Sequence, residues 1–176
     1  MKRYVAFLRG INVSGQKLIK MDALKAMFSA LGFESVVTYI QSGNVIFDSK
    51  EKDTAKLRNM IEKHLLAELG YEVSTIVRSI VELEIIINQN PFPAVAVGDT
   101  RKLHVTMLAG EADKAKEPLL SAVLVEDEEM HIIGTELYMI THSYGNSKLS
   151  NTFVEKKLGL TATTRNWATI NKVVKL

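Results

Sequence analysis

Short apolar runs and helical periodicity alternate in a fixed order along residues 1–78. Arg3–Leu8 is almost entirely apolar and aromatic, which is typical of a central strand that is covered on both faces. Apolar residues then recur at helical spacing at Met21, Leu24, Phe28 and Leu31. The first elements are therefore predicted to be a strand, a loop from Gly10 to Lys20 and a helix that ends at Gly32.

The same region continues with two strands, a second helix and a fourth strand. Ser35–Ile40 and Val45–Phe47 read as strands, joined by the turn residues Gln41–Asn44. The second helix carries apolar residues at i, i+4 spacing, namely Leu57, Ile61, Leu65 and Leu69. Asp53 or Thr54 is predicted to cap this helix, Gly70 to end it, and Val73–Val77 to form the last strand.

This β-α-β-β-α-β order predicts an α+β fold with a ferredoxin-like plait over residues 1–78. Residues 79–176 are predicted to form a second, similar α+β half packed against the first. Its expected elements are a helix at Ile80–Asn88, a rigid break at Asn90–Pro93, a strand at Leu103–Leu108, a helix at Ala112–Ser121, a hairpin of Met130–Ile133 and Glu136–Thr141, and helices at Asn151–Leu158 and Asn166–Val174.

Composition narrows the class of protein. The chain has 176 residues, no cysteine, 47% apolar and 24% charged residues, so it can bury a core and has neither disulfides nor thiolate zinc sites. No apolar run approaches the roughly eighteen residues that span a bilayer. The N-terminus starts like a signal peptide, but Arg9 comes too soon for the apolar region that a signal peptide needs. We therefore expect a cytoplasmic location, no membrane partner, no metal and no cofactor.

Positive charge is concentrated at the two ends of the chain. Residues 1–25 carry six basic side chains and one acidic one, and residues 142–176 have the same balance, although the net charge of the whole chain is only +2. One interpretation is ordinary scatter of surface charge. The other is that the two ends meet and form a single cationic surface.

The first loop nearly matches a nucleotide-binding phosphate loop. That motif needs a lysine directly after its second glycine and then a serine or threonine, whereas here Gln16 follows Gly15, Lys17 is one place late, and Leu18 has no hydroxyl. A nucleoside triphosphate site is therefore not predicted. The loop is either a plain connector or a site where backbone amides and Lys17 hold an anion.

Signatures of classical hydrolases and metalloenzymes are absent from the sequence. The four histidines, His64, His104, His131 and His142, have no metal-binding spacing, and no G-x-S-x-G motif occurs. Only His142, which opens a polar loop, is placed as a candidate acid or base, and the favoured interpretation is still an ordinary surface histidine.

A polar stretch near the C-terminus, Thr163–Thr169, is predicted to open the last helix. Within it Arg165 can bind an oxyanion through two hydrogen bonds, and Trp167, the only tryptophan, can stack on a planar group. The alternative is structural. Thr163 or Thr164 would then cap the helix, Trp167 would fill the core, and Arg165 would pair with an acid.

Several motifs together resemble a known bacterial family. Phe7–Val13, Thr38–Val45 and Thr164–Trp167 are similar to the motifs of the family called domain of unknown function 1697, as are Asn90–Pro93 and Ser147–Ser150. The resemblance runs from about residue 3 to the end of the chain. It implies tandem ferredoxin-like plaits, and it brings no established activity.

The resemblance supplies candidate ligand-binding residues, to which we add Lys20 at the end of the first loop. The candidates are Arg9, Asn12, Lys20, Tyr39, Gln41, Ser42, Asn44, Lys148, Arg165, Asn166 and Trp167. We expect four of them, Arg9, Asn44, Lys148 and Arg165, to line one pocket.

Three classes of function fit these observations. The first is a binding module whose partner is an anionic small molecule, such as a phosphorylated metabolite, or a nucleic acid. The second is a cofactor-free enzyme in which Arg165 and Lys148 hold an anionic substrate and Tyr39 or His142 moves a proton. The third is a scaffold that acts through protein contacts. The sequence leaves the oligomeric state open.

Overall fold

A computed structural model describes residues 1–92 and 99–176, so Pro93 of the expected break lies outside the described residues. The chain divides into two compact units. Unit 1 contains Met1–Glu84 together with Lys172–Leu176, and unit 2 contains Ile85–Asn171. The division into folding domains at residue 78 stays a prediction. Among the described residues, no helix is long and apolar enough to cross a bilayer.

Unit 1 contains one antiparallel sheet of four strands. Its elements are β1 Lys2–Leu8, α1 Met21–Ala30, β2 Glu34–Tyr39, β3 Asn44–Ser49, α2 Thr54–Leu69 and β4 Thr75–Ser79, followed by the start of α3 Ile80–Asn88. The strands lie in the order β2-β3-β1-β4. With the helices α1 and α2 in the two crossovers, this is the ferredoxin-like topology that the sequence predicts.

Aromatic side chains fill the core of unit 1. The Phe47 ring stacks on Phe33, with ring centroids 4.3 Å apart, and also lies 5.8 Å from Tyr4 and 5.6 Å from Phe28. Along β1, Tyr4–Leu8 are all buried, which confirms the strand covered on both faces. The loop that follows Leu8 therefore begins at the end of a buried, central strand.

Helix α2 begins and ends where the sequence predicts. The Asp53 carboxylate accepts hydrogen bonds from the amides of Ala55 and Lys56, which are among the donors left free at a helix N-terminus. Gly70 ends the helix with a left-handed φ of 76°.

Unit 2 contains a second four-stranded antiparallel sheet. Its remaining elements are β5 Lys102–Leu108, α4 Glu117–Ser121, β6 Glu129–Ile133, β7 Glu136–Thr141, α5 Asn151–Leu158, β8 Ala162–Asn166 and α6 Trp167–Val173, the last of which crosses into unit 1. The strands lie in the order β6-β7-β5-β8. The α+β fold class is therefore confirmed.

Two expectations for unit 2 need correction. The expected helix Ala112–Ser121 is only the short α4 after a single 3-10 turn at Lys114–Lys116, since Pro118 lacks the amide hydrogen that a helix continuing through it would need. Residues 162–166 form the edge strand β8 and not the opening turn of the last helix. Asn166, not Thr163 or Thr164, caps α6, because its side-chain oxygen accepts a hydrogen bond from the Thr169 amide.

Strand β8 exists because β5 supplies its hydrogen-bond partners. Val105 pairs with Arg165, and Thr106 pairs with Thr164 in antiparallel register. The β-branched Thr163 and Thr164 suit this extended backbone. The added strand gives unit 2 the same strand order as unit 1, so the sequence predicts the repeat but misses its last strand.

Candidate functional site

The loop that follows β1 and the turn between β2 and β3 meet at the side chain of Asn12. Its Oδ1 accepts a hydrogen bond from the Ile19 amide at 2.8 Å, and its Nδ2 donates to the carbonyls of Ile19 at 3.1 Å and Gln41 at 2.8 Å. One side chain therefore closes the first loop on itself and joins it to a turn 29 residues later. We call this meeting point the loop junction.

The backbone at the loop junction is unusual for residues other than glycine. Asn12, Ser14, Lys17 and Ile40 have φ values of 53°, 51°, 47° and 50°, all in the left-handed region. Asparagine tolerates this region, whereas a β-branched residue such as isoleucine is an outlier there. Each strained residue costs on the order of 1–3 kcal/mol, which the surrounding contacts must offset.

Asn44 shapes the turn from inside unit 1. Its side chain is fully buried, and its Nδ2 donates to the Tyr39 carbonyl at 2.9 Å and to Ser42 Oγ at 3.0 Å. Three of the candidate residues are thus joined by hydrogen bonds. Asn44 itself positions the turn and offers no exposed surface to a ligand.

The candidate cations of the first loop have different surroundings. Arg9 is half-buried, and its amide donates to the Ser74 carbonyl at 2.8 Å. Lys17 Nζ donates to the Glu72 carbonyl at 2.9 Å and lies 5.4 Å from the centre of the Tyr71 ring. Lys20 is exposed at the residue before α1. Both lysines are exposed, and the contacts with Glu72 and Tyr71 hold Lys17 in place.

Arg165 in unit 2 is a buried cation. Only 8% of its surface is exposed, and its Nη1 donates to Thr163 Oγ1 at 2.9 Å and to the Thr164 carbonyl at 2.8 Å. Burial lowers the pKa of the guanidinium to about 10, so the group still carries its charge at neutral pH. The buried guanidinium therefore stabilises strand β8 through hydrogen bonds to two residues of that same strand.

The other C-terminal candidates lie on either side of α5. Lys148 is exposed in the segment before that helix, Asn166 is exposed at the cap of α6, and Trp167 is partly buried. Arg9 and Asn44 belong to unit 1, whereas Lys148 and Arg165 belong to unit 2. The single pocket lined by these four residues stays a prediction.

A polar cluster in unit 2 was not predicted. Thr164 Oγ1 donates to Asn151 Oδ1 at 2.7 Å and is 2.7 Å from Thr106 Oγ1, while the Tyr144 hydroxyl donates to Thr164 at 2.9 Å. The His104 ring stacks on Tyr144 with centroids 5.0 Å apart. The alternation of β5 places His104 and Thr106 on one face, but Thr164, which contacts Thr106, lies in the strand β8 that the sequence does not predict.

The hydrogen bond of His104 assigns its neutral tautomer. Nδ1 lies 3.2 Å from the Lys102 carbonyl, which can only accept, so in the neutral ring Nδ1 carries the hydrogen and Nε2 carries the lone pair. Burial of the ring lowers the pKa of His104 from its ordinary value, more than the hydrogen bond to Lys102 raises it. A neutral imidazole of this kind can accept a proton. In contrast, His142 is exposed and contacts Thr100.

We expect His104 to make the free energy of unfolding depend on pH. Because the pKa is lower in the folded protein, the unfolded chain binds more protons between the ordinary histidine value of about 6.5 and the folded value. Stability is therefore intact above pH 7 and falls as the pH drops through this window. Urea denaturation between pH 7.5 and 5 should show a smaller fall of stability in H104Q than in the wild type. H131Q, which removes an exposed histidine, is the matched control.

Surface cavities lie on the helix side of unit 1. One of about 350 Å³ lies against α2 and the chain before β4, and includes Glu62, Lys63 and Ser74 in its lining. Another, of about 320 Å³, is lined by Leu31, Met60 and His64 among others, and His64 Nε2 is buried without a hydrogen-bond partner among the described residues. Among the residues that the structure describes, no three histidine or acidic side chains are grouped to hold a metal ion.

The fold and the loop junction together define an α+β protein with two ferredoxin-like four-stranded sheets and a polar, strained loop at the end of its first strand. The chain belongs to the family described as protein of unknown function (DUF1697), whose model matches residues 1–138. This confirms the resemblance seen in the sequence motifs. No curated protein matches the chain.

A solved structure has the same fold. The conserved bacterial protein SP0830 from Streptococcus pneumoniae superposes with a TM-score of 0.74 at 21% sequence identity. The match covers 99% of this chain and 97% of that one. At this level of identity, the similarity shows the fold of both sheets and carries no function.

Proposed function

We propose that the protein is a cytoplasmic binding module for an anionic ligand held at the loop junction. The observation that carries the proposal is the concentration of left-handed residues there. Asn12, Ser14, Lys17 and Ile40 are four of the five non-glycine residues with positive φ in the described parts of the chain. Strain of this kind is retained where a defined loop conformation serves a function.

The chemistry of the loop junction suits an anion. Lys20 and Lys17 supply positive charge, and the side chains of Gln41 and Ser14 are exposed hydrogen-bond donors. Backbone amides beside left-handed residues can also converge on an anionic oxygen. The sequence Gly10–Met21 contains no acidic side chain that would repel the ligand.

A compact anionic group is favoured over a nucleic acid strand. Proteins that bind single-stranded RNA on a four-stranded sheet stack bases on exposed aromatic rings. In this sheet Tyr4, Phe7 and Phe47 are each no more than 1% exposed, so they offer no such surface. The net charge of +2 is also small for a protein that binds a polyanion.

Titration with inorganic phosphate, pyrophosphate and a sugar phosphate at low salt tests the proposal. We expect shifts in the amide NMR signals of residues 10–20 and 40–44. K20A should weaken the binding about three- to tenfold, because one charge-assisted contact is lost at an exposed, salt-screened position. K25A is the matched control, since Lys25 is an exposed lysine on α1. If no anion shifts these signals, or if K25A matches K20A, the site is not at the loop junction.

A further inference from the structure

Three large apolar side chains are exposed on the loops that form the loop junction. Val13 is 57% exposed, Leu18 is 72% exposed and Ile40 is 48% exposed. We call these three residues the loop patch. A single exposed apolar residue needs no explanation, but a group of them beside a structured site indicates a surface that another molecule covers.

The three residues of the loop patch are next in sequence to Asn12 or to one of its hydrogen-bond partners. The Asn12 side chain hydrogen-bonds to Ile19 and to Gln41. Val13 follows Asn12 in the chain, Leu18 precedes Ile19, and Ile40 precedes Gln41. Asn12, Ile19 and Gln41 are joined by hydrogen bonds, and each residue of the loop patch follows or precedes one of these three. Because consecutive Cα atoms are about 3.8 Å apart, the backbone of each patch residue lies close to these hydrogen bonds.

Ile40 is costly to unit 1 in two ways. Its φ of 50° is strained for a β-branched residue, and nearly half of its surface remains in water. Asparagine or glycine would adopt this backbone more readily, and a polar residue would suit the exposure better. An isoleucine here gains little from the fold, whereas it gains from contact with a ligand that covers it.

The charges around the loop patch indicate the sign of that ligand. Lys17 and Lys20 flank Leu18, and Gln41 follows Ile40. The first acidic residue after the loop is Asp22, in the first turn of α1, and Glu72 contacts Lys17 through its carbonyl oxygen. A covering molecule that combines aliphatic groups with negative charge complements this surface.

We propose that the loop patch docks an acidic segment of another protein that carries aliphatic side chains. The aliphatic side chains would cover Val13, Leu18 and Ile40, and the carboxylates would lie against Lys20 and the loop amides. The inference rests on the proposed function, since the segment supplies the anion. A membrane surface fits less well, because loops and helices that bind lipid carry aromatic residues and clusters of four or more cations.

An array of about twelve-residue peptides tests the inference on the full-length protein. One set combines Asp and Glu with Leu, Ile or Val, a second set has the acids alone, and a third has the same aliphatic residues with lysine. We expect the first set to bind with shifts of the amide signals of residues 12–20 and 38–43. The other two sets should bind at least tenfold more weakly.

Two variants separate docking from folding. I40N should weaken binding of the best peptide of the first set at least tenfold while the thermal midpoint stays the same or rises, because asparagine relieves the backbone strain. L18S should weaken binding without affecting the midpoint. V81A is the control, since Val81 is 63% exposed on α3 and lies outside the loop patch. A clear fall of the midpoint in I40N together with unchanged peptide binding would mean that Ile40 serves the fold.

The remaining outcomes each decide the question. Equal binding of the acid-only peptides would overturn the inference and leave the anion site standing. Absence of binding by every peptide and by inorganic phosphate would remove both proposals. Binding only to vesicles of phosphatidylcholine and phosphatidylserine would make the surface a lipid site. Dimer formation that shifts the same signals without peptide would make the partner a second copy of the chain.

Discussion

Replacing Gly43 by alanine is expected to lower the free energy of unfolding by about 2–5 kcal/mol. Gly43 has a φ of 79°, which alanine adopts only with strain. An added Cβ would also lie 2.6 Å from Ile11 Cδ1 and 2.9 Å from Leu8 Cβ. Leu8 belongs to the central strand β1 and cannot move without disturbing the core. Since the total stability of a domain is about 5–15 kcal/mol, unfolding of a sizeable fraction is expected on mild heating.

Gly15→Ala is the matched control for this prediction. Gly15 has a similar φ of 73°, but an added Cβ there has no atom within 4 Å. Its substitution should cost only the conformational strain of about 1–2 kcal/mol. Urea denaturation of both variants gives the steric contribution as the difference. Equal losses at the two glycines would contradict the tight contact between the turn and β1.

Replacing Asn12 by alanine is the second large effect that we expect, a loss of about 2–5 kcal/mol. The substitution removes three hydrogen bonds, to Ile19 twice and to Gln41, each worth roughly 0.5–1.5 kcal/mol, and it adds strain at a φ of 53°. Two of the lost hydrogen bonds are to backbone carbonyls, which would then need water in place of the Asn12 side chain. Chemical denaturation measures the loss, and amide hydrogen exchange should rise in residues 12–19.

Asn12→Gly separates the two causes. Glycine adopts positive φ without strain but makes no side-chain hydrogen bonds, so its loss should come from the hydrogen bonds and from the greater freedom of the unfolded chain. The alanine variant should be less stable than the glycine variant. If N12A unfolds at the same denaturant concentration as the wild type, Asn12 does not join the two loops. Both variants should also weaken anion binding, because the loop junction would no longer be held together.

The elements of unit 1 could be predicted because their causes are local. Helix α2 has apolar residues at every fourth position, an aspartate that caps its first turn and a glycine that ends it, and all three signals lie within the helix or next to it. Strand β1 is predicted by its unbroken apolar run. Neither prediction needs knowledge of a distant residue.

Strand β8 could not be predicted in the same way. Its residues Ala162–Asn166 are mostly polar, and its buried positions include Thr163 and Arg165 in place of aliphatic side chains. Its extended state depends on hydrogen bonds to β5, which lies far away in the sequence. His104 was overlooked as a candidate base for a related reason, since its ring stacks on Tyr144, and Tyr144 in turn donates a hydrogen bond to Thr164 of β8.

The loop junction shows the same division between local and distant causes. Sequence motifs name Asn12, Gln41 and Asn44 as candidates, but they do not tell whether a polar side chain faces a ligand or the backbone. The structure shows Asn44 buried and Asn12 engaged in hydrogen bonds within unit 1, with Lys20 and Gln41 left at the surface.

The α+β class, the β-α-β-β-α-β order and the family follow from the amino-acid sequence alone, because periodicity, caps and motifs depend on residues close together in the chain. The three-dimensional structure was needed to show which candidate residues hold the fold and which are exposed, and it revealed the strained Ile40 and the missed strand β8. The physical reason is that positive φ, burial of polar groups and pairing of a polar strand are stabilised by partners from distant parts of the chain, whose approach no local pattern records.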